Sequence, residues 1–346
     1  MVKHSLRAGL IMLALIVSAG DGADTNNIVS NVKPEAAFPA EVVSVMAIQK
    51  SADGKTIYIS FIEKEQIFII NTSDKSASGF LKLLERSLKS NTPLKIEFDP
   101  IHASIKSVAK PSNKEMELYR SEQKRAIKTE KPVPVDLNKI DTSEFNKIQN
   151  LKFPFLKGDL NIVSQETASE IFEYCKKQSC NLPGPYDIVT CIPFQFVLDG
   201  CHARAHKMYK MITERFGNCC AKVFSLAYKN KDHLAIIAEK WGGCCVLWRF
   251  HVAPIIMVKI ELVQHPPLNT LMVIDPSMFD TPVSLSWWLW NQEQTKCDEY
   301  AKVSAYTIQR GWAYMPADTG TMFYTDPDYT ETDSLLVFHH SHKTCP

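Results

Sequence analysis

The sequence predicts an α+β protein in two parts: a small α+β unit, then a domain that sets a cysteine-bearing helix against an antiparallel sheet. Three observations predict it. All ten cysteines lie at Cys175 or beyond, so the second part alone relies on disulfides, metal ligands or a thiol. A charged, proline-bounded stretch separates the two parts, and within each part helix-period segments are interleaved with β-branched runs. With 346 residues, 45% of them hydrophobic, the chain can fill two real cores.

The elements follow in order. Lys3 and Arg7 precede an apolar run from Ala8 to Ala19, too short to span a bilayer, and Ser18, Ala19 and Gly20 suit cleavage. Residues 1–20 therefore read as a secretory signal, which makes the protein secreted (extracellular or periplasmic) with no membrane attachment after its removal; a membrane anchor is the alternative. Strands are expected at Glu41–Ile48, Thr56–Asn71 and Leu94–Phe98, and a helix at Ser76–Ser90, where Leu81, Leu83, Leu84 and Leu88 recur at helical spacing as core residues. Residues 111–131 look helical and highly charged until Pro132-Val133-Pro134 ends them. The polar stretch that follows reads as an exposed linker over 132–157, open to proteases.

The second part opens with a helix near Ser164–Gln178, striped by Ala168, Ile171, Phe172 and Cys175. A Pro- and Gly-rich loop runs from Cys180 to Cys191, and a helix from Cys201 to Phe216 is stopped by Gly217 and Asn218. Strands are expected at Val223–Ala227, Val246–Lys259 and Leu271–Ile274, with a late helix over Leu285–Lys296 carrying Trp287, Trp288 and Trp290. A net charge of +1 gives no basis for a nucleic-acid partner. No phosphate loop or zinc-protease helix is present in the sequence.

The chemistry starts at Asp199-Gly200-Cys201. A thiol at the first residue of a helix meets unpaired backbone N–H groups and the positive end of the dipole, which favour the thiolate. His251 lies on a predicted strand, and Asp275 opens an Asp-Pro turn. A hairpin turning near Leu262–Leu268, in register to set His251 opposite Asp275, would give a nucleophile, a base and a carboxylate that orients the base. Each has a plainer reading: Cys201 as a half-cystine or buried thiol, His251 as a core histidine, Asp275 as a turn former. The backbone N–H of Cys201 at the Gly200 turn is the candidate oxyanion donor, with Trp248 as a second candidate or a packing residue. Cys180 and Cys191 bracket a loop that a disulfide could close. The doublets Cys219-Cys220 and Cys244-Cys245 read as further half-cystines, or as a four-cysteine zinc set against the usual spacing. His339, His340 and His342 read as a solvated tail or a weak metal site.

The segment Val197–Met208, with its Asp-Gly-Cys-His-Ala-Arg-Ala-His-Lys core, resembles the nucleophile motif of the secreted bacterial protein-glutaminases. Gly243–Ala253 resembles their histidine strand and Ile274–Phe279 their aspartate turn; Cys180 and Cys191 fall where that family has cysteines. His202 and Phe250 stand where the family has tyrosine. The resemblance spans most of residues 158–300. It implies a transglutaminase/papain-like core and a Cys201–His251–Asp275 triad, without metal or cofactor, that deamidates glutamine in protein or peptide substrates. It also implies a precursor, with a pro-region over 21–131 as intramolecular inhibitor, an activating protease cutting within 132–157, and a catalytic domain over 158–346. A transglutaminase or a papain-like cysteine protease would use the same triad. A disulfide-stapled binding module with Cys201 oxidised is the non-enzyme alternative.

Overall fold

The computed structural model describes residues 39–129, 131–135, 160–186, 188, 190–228, 232–261 and 267–345. The expected signal segment 1–20 and most of the expected linker lie outside them. Residues 38–346 form one compact unit, and none of the described helices is long and apolar enough to cross a membrane.

The first half is a six-stranded sheet with one packed helix. Strands β1 (Ala40–Val43), β2 (Val45–Lys50), β3 (Thr56–Phe61), β4 (Phe68–Asn71), β5 (Leu94–Asp99) and β6 (Ser104–Ala109) are ordered β1-β5-β6-β4-β3-β2. Helix α1 (Ala77–Ser90) packs across β2 and β6. Alternation buries Ile57, Ile59, Phe61 and Phe68 under Leu84 in one apolar cluster. The single strand expected over Thr56–Asn71 is two, β3 and β4, and the loop between them matters below. Helix α2 (Asn113–Gln123) starts with a capping box between Ser112 and Glu115 and stops short of Lys131. Beyond it, β7 (Ile127–Lys128) and β8 (Val133–Pro134) join sheets of the second half, so the expected linker begins as a bound edge strand.

In the second half, β9 (Val163–Ser164) leads into α3 (Gln165–Lys176), and α4 (Cys201–Phe216) ends where the sequence places it. The remaining elements are β10 (Cys220–Leu226), β11 (Leu234–Ile237), β12 (Cys245–Trp248), β13 (Phe250–Ile260), β14 (Leu268–Val273), β15 (Val283–Ser284), α5 (Leu285–Trp290), β16 (Ala305–Gln309), β17 (Ala313–Pro316), β18 (Met322–Thr325) and α6 (Thr330–His339). The main sheet runs β15-β14-β13-β10-β16-β8, with β9 added parallel to β13; β11 and β12 form a separate ribbon, and β17-β18-β7 a third sheet. Helix α4 lies across β13 and β10, the expected helix-on-antiparallel-sheet core of an α+β fold.

Three expectations change in detail. The run Val246–Lys259 breaks at Arg249 into strands of different sheets. Helix α5 ends at Trp290, after which Glu293 bridges Ala235. The β13–β14 pairing sets Ile255 opposite Val273 and continues with the Ile274 amide donating to Pro254 O at 2.9 Å. Asp275 is thus level with Ala253, not His251. The slip is two residues, so Asp275 stays on the same face and reaches His251 diagonally.

The cysteines also differ from expectation. Cys180 pairs with Cys191, Cys244 with Cys345 and Cys245 with Cys297. Cys219 and Cys220 are free, buried thiols within the apolar cluster that also holds Cys175, Ile171 and Met211. They act there as small core side chains, which corrects both their half-cystine and their zinc readings. The tail is docked, not free: His339 is buried and stacks on Phe196 at 4.4 Å, Cys345 is bonded to Cys244, and only His340 of the three histidines is exposed.

Candidate active site

Local backbone chemistry explains how Cys201 is presented. Gly200 caps α4 with φ +80°, and a Cβ there would lie 2.8 Å from the His339 ring, so only glycine fits the turn. Arg204, one helical turn on, donates from Nη1 to Phe196 O at 2.6 Å and Asp199 O at 2.7 Å, fixing the chain that enters the helix. The Gly200 N–H is taken by Asp199 Oδ1 at 2.8 Å. The contribution of Gly200 is therefore conformational, and it does not offer a donor to an oxyanion.

His251 sits on β13 beside β10, opposite Ser225. Its Nε2 lies 2.8 Å from Asp275 Oδ2, leaving Nδ1 on the opposite side of the buried ring for a second partner. Trp248 stacks on the imidazole at 4.4 Å with the planes 8° apart, and its indole N–H donates to Val197 O at 2.8 Å. That commitment favours the packing reading of Trp248 over the oxyanion reading. Asp275 accepts further hydrogen bonds from Ser277 and, at 2.9 Å, from Trp288 Nε1. Sequence reasoning placed Trp288 on a helix without a role. Burial works against the charge of Asp275, but His251, Ser277 and Trp288 hold it low, at about 2. His251 is raised: burial opposes its charge, and the Asp275 and Glu65 carboxylates outweigh that cost.

The side chain that completes the cluster comes from the first half. Glu65, on the loop between β3 and β4, is fully buried. Its Oε2 accepts from the Cys201 backbone N–H at 2.7 Å, and its Oε1 lies 3.3 Å from His251 Nδ1. The Cys201 sulfur, a His251 ring nitrogen and a Glu65 oxygen all lie within 4.8 Å of one another. Burial, and then the Glu65 carboxylate, push the Cys201 thiol well above its ordinary value; burial likewise raises Glu65. The sequence offered no signal for Glu65, which stands in a run of charges and apolar residues that reads as ordinary strand.

The loop is braced from both sides. Neighbouring Glu63 accepts from Tyr119 Oη at 2.7 Å, Gln123 Nε2 at 3.1 Å and the Ser44 amide at 2.8 Å. Gln66 Nε2 donates to Pro100 O at 2.8 Å. Helix α2 therefore fixes the loop that carries Glu65.

Residues 168–292, which contain Cys201, His251 and Asp275, match a family model described as Glutaminase. This segment, about a third of the chain, resembles a glutaminase domain. Among solved structures, pro-protein-glutaminase resembles the chain at 22% identity and TM-score 0.62, over 90% of this chain and 95% of that one. A mutant of pro-protein-glutaminase matches at 22% identity and TM-score 0.61, over 89% and 95%. Protein-glutaminase from Chryseobacterium proteolyticum matches at 28% identity and TM-score 0.45, over 54% and 92%. No curated protein sequence matches the chain. This segment and the sheet before it thus share the fold of pro-protein-glutaminase over most of the chain.

Proposed function

We propose that the chain is the latent form of a secreted protein-glutaminase, in which Glu65 occupies the place of a substrate glutamine side chain. The observation that carries this reading is the Glu65 carboxylate, which meets the Cys201 N–H at 2.7 Å and faces His251 Nδ1. A glutamate is what deamidation leaves behind, and the position of Oε2 is where an oxyanion would gain most from that donor.

In the mechanism, His251 Nδ1 takes the thiol proton while Asp275 holds the ring by Nε2 and stabilises the imidazolium. Cys201 sulfur attacks the carboxamide carbon, and the tetrahedral oxyanion is held by the Cys201 N–H. Protonation of the nitrogen by His251 breaks the C–N bond and releases ammonia, leaving a thioester. Water, deprotonated by the same histidine, hydrolyses the thioester to glutamate and free thiol. Residues 158–346 would form the catalytic domain, 21–131 the inhibitory pro-region and 132–157 the segment cut on activation, with residues 1–20 directing secretion.

A side-chain carboxyl, and not a main-chain carbonyl, lies against Cys201, which favours side-chain amide chemistry over peptide-bond cleavage by a papain-like protease. The free state of Cys201 disfavours the stapled binding module. The full chain, nicked within 132–157 and incubated with casein, should release ammonia without new peptide termini and without stable incorporation of an added primary amine. Cys201→Ala should abolish release. New termini would point to a protease, and incorporated amine to a transglutaminase.

A further inference from the structure

We infer that Arg249 is a main-chain clamp for the substrate peptide, holding the carbonyls of the first and third residues before the target glutamine. This rests on the proposed function, with the Ile62–Ile67 loop standing where a substrate would lie.

The loop is held by its backbone as well as by Glu65. The Arg249 amide donates to Glu65 O at 2.7 Å, the Ile67 amide donates to Leu247 O at 3.2 Å, and Gln66 forms an antiparallel bridge with Trp248. These are the contacts of a strand added to an exposed edge. The Arg249 guanidinium reaches further back along the loop: Nε donates to Lys64 O at 3.2 Å and Nη2 to Ile62 O. One residue therefore grips three carbonyls, those at the glutamine position and at the first and third residues before it.

The fork is also held by groups outside the loop. Nη1 donates to Asp318 O at 3.2 Å and Nη2 to Pro316 O at 3.4 Å, and the guanidinium lies over the Phe250 ring at 4.7 Å. A planar, preorganised donor set loses little freedom on binding. Carbonyls are common to every peptide, so this clamp selects backbone conformation and upstream length, not side chains. A glutamine within a helix has those carbonyls committed to the helix itself, and a glutamine at a chain start lacks them.

The test uses the full chain after limited proteolysis and a ladder of acetylated peptides carrying zero to four residues before a Gln-Gly-Gly amide, with ammonia as the readout. The step from one to two upstream residues supplies the third carbonyl through the acetyl group. It should raise kcat/KM about tenfold, through KM with kcat unchanged, while the preceding step changes little. Arg249→Lys, which keeps the charge and loses the fork, should flatten that step. A flat ladder in the unmodified enzyme, with ammonia still released, overturns the clamp and leaves the glutaminase reading standing. No ammonia from any peptide or from casein removes the glutaminase reading, and the clamp with it.

Discussion

Replacing Glu65 by glutamine turns the occupant of the cleft from a product into a substrate, and the chain should then modify itself. The substitution removes a negative charge lying within 4.8 Å of the Cys201 sulfur. At an effective dielectric constant of about 20, two unit charges at that separation repel by roughly 3.5 kcal/mol, which disfavours the thiolate. The thiol in the unmodified chain is pushed up by burial and by Glu65; with a neutral amide only burial remains. The Cys201 N–H that now meets Oε2 at 2.7 Å would polarise the carboxamide oxygen instead. Full-length E65Q, never exposed to protease, is incubated at neutral pH and peptide-mapped by mass spectrometry. Residue 65 should read as glutamate, about 1 Da heavier, with one ammonia released per chain through the thioester; E65Q combined with Cys201→Ala should keep the amide. An amide that persists at position 65, in a chain that deamidates casein once nicked, would refute the assignment of this position to the substrate.

Denatured without reduction, the chain should alkylate at four cysteines, Cys175, Cys201, Cys219 and Cys220. Native latent protein should label slowly at all four, and activation should expose Cys201 alone to fast labelling. Asp275→Asn should lower kcat on the order of 10³- to 10⁴-fold by losing the orienting carboxylate. Asp275 is lowered from 3.8 to about 2, so its contribution to stability, about 2 kcal/mol, is present above pH 3.8 and lost as pH falls toward 2; thermal melts of both proteins across that window should converge. Glu65 is raised from 4.5, so its contribution to docking is full below pH 4.5 and fades as pH rises through its shifted value; gel filtration of nicked protein should show the pro-region leaving more readily at alkaline pH. Cys345→Ser opens a bridge of sequence separation 101 and should cost about 4 to 5 kcal/mol in the chain-entropy model, measured by denaturant unfolding.

What was legible in the sequence was local. Helix α4 begins at Cys201 because a glycine turn precedes it and ends where Gly217 stops it, and both signals are written in adjacent residues. His251 and Asp275 were legible through their own motifs, and their contact survived an error in register because a two-residue slip preserves the face. Tertiary partners were not legible. Beta-branched periodicity runs through residues 56–71 and hides the turn at 62–67, which is held by distant residues of both halves. The doublets look alike, yet Cys244 and Cys245 find partners at Cys345 and Cys297 while Cys219 and Cys220 fill a core. Arg249 interrupts an apolar run because its partners, like those of Glu65, are distant in sequence: Lys64 and Ile62 in the first half, Pro316 and Asp318 in the second.

Those cross-half contacts also constrain how latency can end. A cut anywhere in 136–157 leaves residues up to Val135 attached through three separate sets of hydrogen bonds: β7 on β18, β8 on β16, and the Ile62–Ile67 loop on Leu247 and Arg249. Nicking removes the covalent tether and so lowers the effective concentration of the pro-region, but it leaves Glu65 against Cys201. The Glu63 network to Tyr119, Gln123 and Ser44 keeps the loop shaped as long as the first half stays folded. Release after the cut therefore requires the first half to dissociate, unfold or be digested, and the strength of these contacts, more than the rate of the first cut, sets how quickly the thiol is freed.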